Sequence, residues 1–199
     1  ADAALPPGDY AVDIRYDAVR LSSIVTLLEG NRLMVSFVLN AGALRILPRI
    51  KDVGLPAARP VNRIFGLAGK ERGKIVAVSE VPGEMLRIPE GDYRVESRFA
   101  AGNVAAIIDV HVSAGRVSAV EIDHIAGLAR LAFVGAPDQA VQWNVRNGAG
   151  QAIATAEGLN ADVVLVPGTY TASAQVDGET LSATFDISTG EARDIILGN

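Results

Sequence analysis

Several residue types are absent from this sequence or scarce in it. It has no cysteine, only two histidines (His111 and His124), and one Trp, four Tyr and five Phe among 199 residues. The missing cysteine excludes disulfides and thiol chemistry and is compatible with any compartment. No apolar run approaches the roughly 20 residues of a membrane-spanning helix, so no membrane span is expected.

The chain nevertheless has the composition of a folded protein. Hydrophobic residues make up 49% of it and charged residues 21%, which excludes a disordered chain. Because aromatic residues are few, the core has to consist mainly of Val, Ile, Leu and Ala. At 199 residues, the chain is long enough for one large domain or two ordinary ones.

Charge is unevenly distributed along the chain. The net charge is −5, and nucleic acid is not expected as a partner because acidic groups dominate and aromatic–basic pairs are scarce. Residues 42–125 carry 12 basic and 10 acidic groups, whereas residues 126–199 carry three and eight. This asymmetry favours head-to-tail contacts or an anionic partner, or it reflects ordinary solvated loop charges.

One motif occurs three times: a proline, a glycine, and a tyrosine that opens an alternating segment. The copies are LPPGDYAVDIRYD (5–17), RIPEGDYRVESRFAAG (87–102) and LVPGTYTASAQVDG (165–178). Each is followed 22 to 24 residues later by a second glycine: Gly8 precedes Gly30, Gly91 precedes Gly115, and Gly168 precedes Gly190. Repetition at this spacing indicates a tandem-repeat architecture.

The residues after each first glycine alternate between apolar and polar side chains. This period of two predicts strands of antiparallel sheets with one buried and one wet face. Around the second glycine, residues 25–37, 110–122 and 185–197 align with one another and predict a hairpin, since glycine reaches positive φ freely. The residues predicted to point inward are Val110, Val112, Val120 and Ile122, which match Phe185, Ile187, Ile195 and Leu197.

Two copies have four further strand-like segments upstream of the tyrosine. The middle copy has them at 43–49, 60–66, 74–80 and 83–91, and the last copy has them at 128–135, 140–146, 152–156 and 161–168. Seven short strands with frequent turns predict a Greek-key β-sandwich. We therefore expect an all-β chain of tandem sandwich modules at 42–125 and 126–199, joined by a very short linker at 125–127 into a semi-rigid rod.

The first copy, residues 1–41, lacks those four strands and is predicted to form only the last three strands of a module. Three strands cannot close a sandwich alone. We expect the chain to be a fragment of a longer protein. The alternatives are that a second chain supplies the missing strands, giving a homodimer through residues 1–41, or that the segment docks onto the middle module.

The last stretch, LVPGTYTASAQVDGETLSATFDISTGEARDIIL, resembles the prealbumin-like modules, among them the carboxypeptidase regulatory-like domains and the collagen-adhesin B-type repeats. The resemblance implies tandem modules in bacterial envelope or surface proteins, with stalk, spacer, adhesion or carbohydrate-binding roles. It implies no catalytic residues. Some adhesin repeats carry a Lys–Asn crosslink, which residues 126–199 cannot form because they contain no lysine. Lys51, Lys70 and Lys74 of the middle module are expected in or next to loops.

A few side chains could carry chemistry. Metal-type ligands are concentrated at Asp109, His111, Glu121, Asp123 and His124, but their predicted directions do not clearly converge. They are therefore expected to be surface polar residues rather than a metal site. Trp143 is expected in the core rather than at a sugar-stacking site. The equivalence of Tyr10, Tyr93 and Tyr170 predicts a structural corner in which each hydroxyl bonds nearby backbone.

No nucleophile motif or phosphate loop is present in the sequence. We expect no catalytic, cofactor-binding or metal-binding residues and no cofactor. The expected function is a non-catalytic spacer or protein-binding region of a periplasmic or extracellular protein, acting on a protein partner or a neighbouring domain. A carbohydrate- or other ligand-binding module is the alternative, and an enzyme comes third.

Overall fold

The computed structural model describes residues 4–135 and 140–198, so residues 1–3, 136–139 and 199 of the expected modules lie outside the described residues. The fold is all-β, and the described residues contain one 3-10 turn, at Gly69–Glu71, besides the strands. The strands in the described residues are β1 (Gly8–Tyr16), β2 (Val19–Leu27), β3 (Ala41–Ile50), β4 (Pro60–Gly66), β5 (Ile75–Ser79), β6 (Met85–Pro89), β7 (Gly91–Phe99), β8 (Ala105–Val112), β9 (Val117–His124), β10 (Gly127–Val134), β11 (Gln142–Asn147), β12 (Ala152–Glu157), β13 (Asn160–Leu165), β14 (Gly168–Val176), β15 (Glu179–Ile187) and β16 (Ala192–Gly198).

Two seven-strand sandwiches with identical strand order account for most of the chain. In the middle sandwich (β3–β9), a three-stranded sheet β6-β3-β9 faces a four-stranded sheet β5-β4-β7-β8. The C-terminal sandwich (β10–β16) repeats this as β13-β10-β16 and β12-β11-β14-β15. Both sandwiches confirm the predicted seven strands. In an immunoglobulin constant-type sandwich the first strand shares a sheet with the second, whereas here it lies between the fourth and the seventh.

The opening and closing strands of each sandwich pair in parallel, while every other strand pair among the described residues is antiparallel. β3 pairs with β9 from Ala43↔Val117 to Ile50↔His124, and β10 pairs with β16 in the same way. The last strand therefore ends beside the end of the first strand. The chain enters each sandwich at one end and leaves it at the other.

The hairpin predicted around the second glycine is wrong. Gly115 and Gly190 connect strands of different sheets, β8 to β9 and β15 to β16, so each turn is an arch over the edge of the core. Both glycines have the expected positive φ, 69° and 75°. A hairpin and an arch give the same alternation of apolar residues, and the sequence pattern alone does not separate them. The residues predicted to point inward from these strands do line the cores.

Each tyrosine strand instead forms a hairpin with the strand that follows it: β1 with β2, β7 with β8, and β14 with β15. Two of them turn through two residues, Asp17–Ala18 and Asp177–Gly178. Asp17 and Asp177 have φ of 52° and 50°, in the left-handed region that such tight turns require and that Asp tolerates. The middle hairpin turns through the longer segment 100–104.

The first copy forms only two strands, so the predicted third strand is wrong. Residues 28–40 contain no strand, and Leu33, Met34, Val35 and Val38 are exposed, Met34 by 86%. The equivalent strands β9 and β16 exist as partners of β3 and β10. Residues 28–40 have no such partner strand among the described residues.

Each core is mainly aliphatic, as the composition predicts. The middle core is formed by residues such as Leu44, Ile64, Val95 and Ile122. The C-terminal core surrounds Trp143, which is 2% exposed and donates its indole N–H to the Gly158 carbonyl at 2.9 Å. This confirms the expected core position of Trp143, and a buried indole has no face to offer a sugar.

The three tyrosine corners are confirmed. Each hydroxyl donates to the carbonyl four residues upstream: Tyr10 to Pro6 at 2.6 Å, Tyr93 to Pro89 at 2.8 Å, and Tyr170 to Val166 at 2.9 Å. Tyr93 and Tyr170 are buried, whereas the bond of Tyr10 is exposed. The bond ties the start of each tyrosine strand to the end of the segment before it.

Removing one corner hydroxyl tests this role. We predict that Tyr93→Phe lowers the free energy of unfolding by about 0.5–1.5 kcal/mol, because the partly buried Pro89 carbonyl loses its donor. Tyr10→Phe is the matched control and should cost less, since water replaces the donor at the exposed corner. Urea denaturation measures both. Equal losses in the two variants would contradict the assigned role of burial.

Candidate interaction site

Four of the five residues singled out as possible metal ligands lie on two separate outer surfaces. Asp109 and His111 point outward from β8 and are exposed. Arg94 donates two hydrogen bonds to Asp109, at 2.8 and 2.9 Å, and His111 Nδ1 lies 2.8 Å from Asp92 Oδ1. The Arg94 guanidinium lowers the pKa of Asp109 through these bonds. Each side chain is thus engaged by a neighbouring strand.

Glu121 and Asp123 lie on the outer face of β9, where both are exposed. Arg49 of β3 bridges them, with nitrogens 3.0 Å from Glu121 and 2.5 Å from Asp123. This pairing lowers the pKa of Asp123. In residues 4–135 and 140–198, no group of three or more His, Cys, Asp or Glu side chains is placed to hold a metal ion. Lys51, Lys70 and Lys74 are exposed and lie outside the strands, where the sequence placed them.

His124, the fifth candidate, is a core residue, so its expected surface position is wrong. It is 1% exposed, and its ring meets Phe99 edge to face at 4.9 Å. Its Nδ1 lies 3.3 Å from the Arg49 carbonyl and its Nε2 lies 3.4 Å from the Ser97 carbonyl. Burial lowers the pKa of His124, opposed by the backbone carbonyls. Since β9 ends at this residue, His124 lies at the end of the middle sandwich.

An apolar cluster joins the two sandwiches directly beyond His124. Its buried members are Ile50, Phe99 and Val104 from the middle sandwich, together with Ala126, Leu128 and Val164 from the linker and the C-terminal sandwich. Only two residues separate β9 from β10. This cluster is the junction between the sandwiches, and periodicity within single strands gave no signal for it.

Backbone hydrogen bonds reinforce the junction where the 100–104 turn meets the edge of β13. Val164 donates its N–H to the Ala101 carbonyl at 2.9 Å, and Asn103 donates its N–H to the Val164 carbonyl at 3.3 Å. Gly102 pairs with Val164 in a parallel bridge. A Cβ at Gly102 would lie 1.7 Å from the Val164 carbonyl oxygen, so only glycine allows this approach.

The Asn103 side chain bonds both parts of the tyrosine corner in the C-terminal sandwich. Its Nδ2 donates to the Tyr170 hydroxyl at 3.1 Å, and its Oδ1 accepts from the Val166 N–H at 3.0 Å. The same hydroxyl donates to the Val166 carbonyl. Asn103 thereby connects the middle sandwich to the corner of the next one, a role that its place in a turn did not reveal.

The N-terminal hairpin (β1–β2) contacts the middle sandwich in a similar way. Ala18 donates its N–H to the Arg87 carbonyl at 3.3 Å. The Arg87 guanidinium lies 3.6 Å from the Asp17 carboxylate and 5.1 Å from the centroid of the Tyr16 ring. Val19 beside the turn is only 2% exposed. Of the alternatives given above for residues 1–41, the structure shows the one in which this segment docks onto the middle module.

One face of the N-terminal hairpin borders an open groove of about 680 Å³. Apolar side chains such as Tyr10, Val12, Val25 and Leu27 line it, together with the polar residues Asn31 and Arg32. The edge of β1 opposite β2 has no strand partner among the described residues. An apolar face beside an unpaired strand edge is suited to pairing with a further strand.

The pH dependence of stability reports the environment of His124. Because burial lowers its folded pKa below the ordinary value of about 6.5, the unfolded chain binds the proton more readily. We predict that the stabilising contribution of neutral His124 is present above about pH 6.5 and is lost as the pH falls below it. His124→Gln should flatten this part of the stability profile. An unaltered profile in His124→Gln would contradict the prediction.

Comparison with known proteins gives a partial family match and several similar structures. Residues 135–197 match the Rgs_repeat family, a Rhizobiales growth-associated tandem repeat domain. This stretch covers less than half of the chain and nearly all of the C-terminal sandwich. No curated protein matches the sequence. No helix in residues 4–135 and 140–198 is long and apolar enough to cross a membrane.

The solved structures that this chain resembles include the Bacillus anthracis TIE protein and two pilins. The Bacillus anthracis TIE protein is 16% identical with a TM-score of 0.36, over 98% of this chain and 42% of that one. This chain thus spans less than half of that protein. GBS52, the minor pilin of Streptococcus agalactiae, is 14% identical with a TM-score of 0.35, over 79% and 95% of the two chains. A streptococcal ancillary pilin is 13% identical with a TM-score of 0.39, over 98% and 76%.

Proposed function

We propose that this chain is a non-catalytic spacer of a secreted or cell-envelope protein, built from tandem modules at 1–41, 42–125 and 126–199. The observation that carries the proposal is the junction, where an apolar cluster and backbone bonds lock one sandwich onto the next. A region that only displayed independent binding domains would not need this coupling. A spacer needs it, because its function is to hold a neighbouring domain or protein partner at a fixed distance.

The geometry of the polar residues supports a role without catalysis. Asp109, His111, Glu121 and Asp123 engage strand neighbours on outer faces, and His124 is buried away from them. The tandem-repeat family match at 135–197 supports the modular reading. We also assign the modules to the prealbumin-like type, supported by the opening strand that lies between the fourth and the seventh.

The spacer proposal is tested by attaching one spin label to each sandwich and measuring how widely the distance between the two labels varies. The natural absence of cysteine allows specific spin labels at the exposed positions Val78→Cys in the middle sandwich and Leu159→Cys in the C-terminal one. We predict a distribution as narrow as that of the reference pair Val78→Cys and Val117→Cys, both in the middle sandwich. Double electron–electron resonance makes the measurement. A cross-junction distribution much broader than the reference would overturn the proposal.

Asn103 provides a graded control for the same measurement. Asn103→Ala removes both side-chain bonds across the junction and should broaden the distribution. Asn103→Asp keeps the acceptor for the Val166 N–H and loses the donor to the Tyr170 hydroxyl, so it should fall between Asn103→Ala and the wild type. Identical widths in all three proteins would show that Asn103 does not couple the sandwiches.

A second chain is the further candidate partner, favoured by the unpaired edge of β1 and its apolar groove. In this form, two copies associate through residues 1–41. Light scattering across a dilution series tests it. A mass of two chains that persists on dilution, and is lost when Val12→Asp is introduced into the groove, supports the homodimer. A monomer at all concentrations contradicts it.

A further inference from the structure

The N-terminal hairpin occupies the place that a tyrosine-strand hairpin holds in a complete sandwich. β1 pairs with β2 in the register that β7 has with β8 and β14 has with β15. Its turn docks on the next sandwich in the same way: Ala18 donates its N–H to the Arg87 carbonyl and Asn103 donates its N–H to the Val164 carbonyl, both at 3.3 Å. Arg87 and Val164 are equivalent, because each lies four residues before the glycine that opens a tyrosine strand.

The segment that follows the hairpin has the length of a closing strand. Gly42 follows Gly30 by 12 residues, and Gly127 follows Gly115 by 12 residues. Gly42 and Gly127 lie near the start of the next sandwich, and at each a Cβ would be too close to a serine carbonyl oxygen, at 2.3 and 2.5 Å. The chain between the two glycines therefore covers the same ground in the first copy as in the middle one.

Apolar residues that line the cores of the complete sandwiches are uncovered in the first copy. Val35 is 42% exposed, whereas its equivalents Val120 and Ile195 are 9% and 6% exposed. Val12 of β1 is half-buried, whereas Val95 at the same place in β7 is fully buried. The hairpin and residues 33–39 thus carry apolar positions of a sandwich core.

Leu5 marks the point at which a fourth strand would meet the hairpin. In the complete sandwiches the tyrosine corner ties the tyrosine strand to the end of the fourth strand, and Tyr10 makes the same bond to Pro6. Leu5 is 49% exposed, whereas Ile88 of β6 and Leu165 of β13, at the same distance before the opening glycine, are fully buried. A fourth strand that continued through Leu5 would bury it in the same way.

The unpaired edge of β1 carries a charge that a second strand can match. In the middle sandwich the second strand β4 pairs with β7, and Arg63 lies opposite Glu96. Asp13 has the place of Glu96, three residues after its tyrosine, and is exposed. It accepts a hydrogen bond from Ser22, and a carboxylate accepts several such bonds. An arginine at the place of Arg63 would therefore face an acidic side chain across the new pairing.

We propose that Leu5, the apolar face of the N-terminal hairpin and residues 33–39 form a docking surface for the first four strands of a further sandwich, which enter through Leu5. The first of these strands pairs in parallel with residues 33–39, as β3 does with β9, and the second pairs with the free edge of β1, as β4 does with β7. This inference rests on the proposed spacer function and adds a third complete sandwich to it.

A second copy of this chain does not supply these strands. β3 and β10, the opening strands of the two complete sandwiches, are each paired on both sides. Two copies that met through their hairpins would cover the groove and still provide no opening strand for residues 33–39.

An extended chain tests the surface with strands of known sequence. A copy of residues 41–87 is placed directly before Leu5, where it replaces residues 1–4 and keeps the natural spacing. The added copy carries Asn62→Ala, because Ile14 stands where β7 has the smaller Ser97 opposite Asn62.

A second extended chain guards against a mismatch with one set of added strands. It has a copy of residues 126–164 before Leu5, with Trp143→Ala in that copy. Trp143 has the position of Asn62, since it lies opposite Ala174, the equivalent of Ser97.

Single cysteines report the burial of residues 33–39, because the natural sequence has none. Val35 and Met34 are neighbours and both are exposed in the original chain, but only Val35 has the place of a core residue. We expect maleimide modification of Val35→Cys in the extended chains to slow to the rate of Val120→Cys. Met34→Cys is the matched control and should keep the rate that it has in the original chain.

Two results would overturn the inference. In the first, Val35→Cys stays as reactive as Met34→Cys in both extended chains. In the second, both cysteines slow alike, which would indicate unspecific burial. In the original chain, a Val35→Cys that is shielded at high concentration and freed on dilution would identify a second copy as the occupant, and would also overturn it.

The spin-label pair Val78→Cys and Leu159→Cys of the original chain separates the two possible failures. If that pair gives a narrow distribution and Val35→Cys stays reactive, the spacer proposal stands and only the third sandwich is wrong. A broad distribution would instead remove the coupling between sandwiches on which the spacer depends.

Discussion

The parallel pairing of the strand that opens each sandwich with the strand that closes it determines the rest of the architecture. Because β9 runs in the same direction as β3, it ends at Ile50 and His124, opposite the end where the chain entered. The next sandwich then begins two residues later, against the surface where the last one finished. A closing strand antiparallel to the opening strand would return the chain to its entry point. The head-to-tail arrangement follows from this pairing and not from a long linker.

Much of the fold was predictable from local patterns. Period-two alternation located the strands of both sandwiches, the repeated tyrosines predicted the corner hydrogen bonds, and the single Trp143 was expected in the core, where it lies. The arches at Gly115 and Gly190 were not predictable, because two strands that face each other across a core bury the same alternating residues as two strands that pair. Local alternation reports which face of a strand is buried. It does not report which strand lies alongside.

The junction was invisible for a related reason. His124 follows the alternation of β9 as a polar residue at its end, and nothing in the sequence indicates that a second sandwich covers it. Asn103 and Gly102 lie in a turn where both residue types are ordinary, yet the close approach to Val164 gives each a specific role. Contacts between modules depend on how whole units meet, and single-strand patterns carry no information about that. Of the five candidate ligands, His124 belongs to the interior, whereas the other four lie on outer faces of the middle sandwich.

The amide of Val164 offers the most direct measurement of the coupling between the sandwiches. It lies on an edge strand and faces away from its own sheet, and its partner is the Ala101 carbonyl of the other sandwich. Native-state hydrogen exchange should therefore show Val164 protected like an amide inside a sheet. The amide of Asp162, which faces the same edge two residues earlier, is the internal reference and should exchange faster. Exchange of Val164 at the rate of Asp162 would show that the two sandwiches are not docked, and the head-to-tail spacer would lose its physical basis.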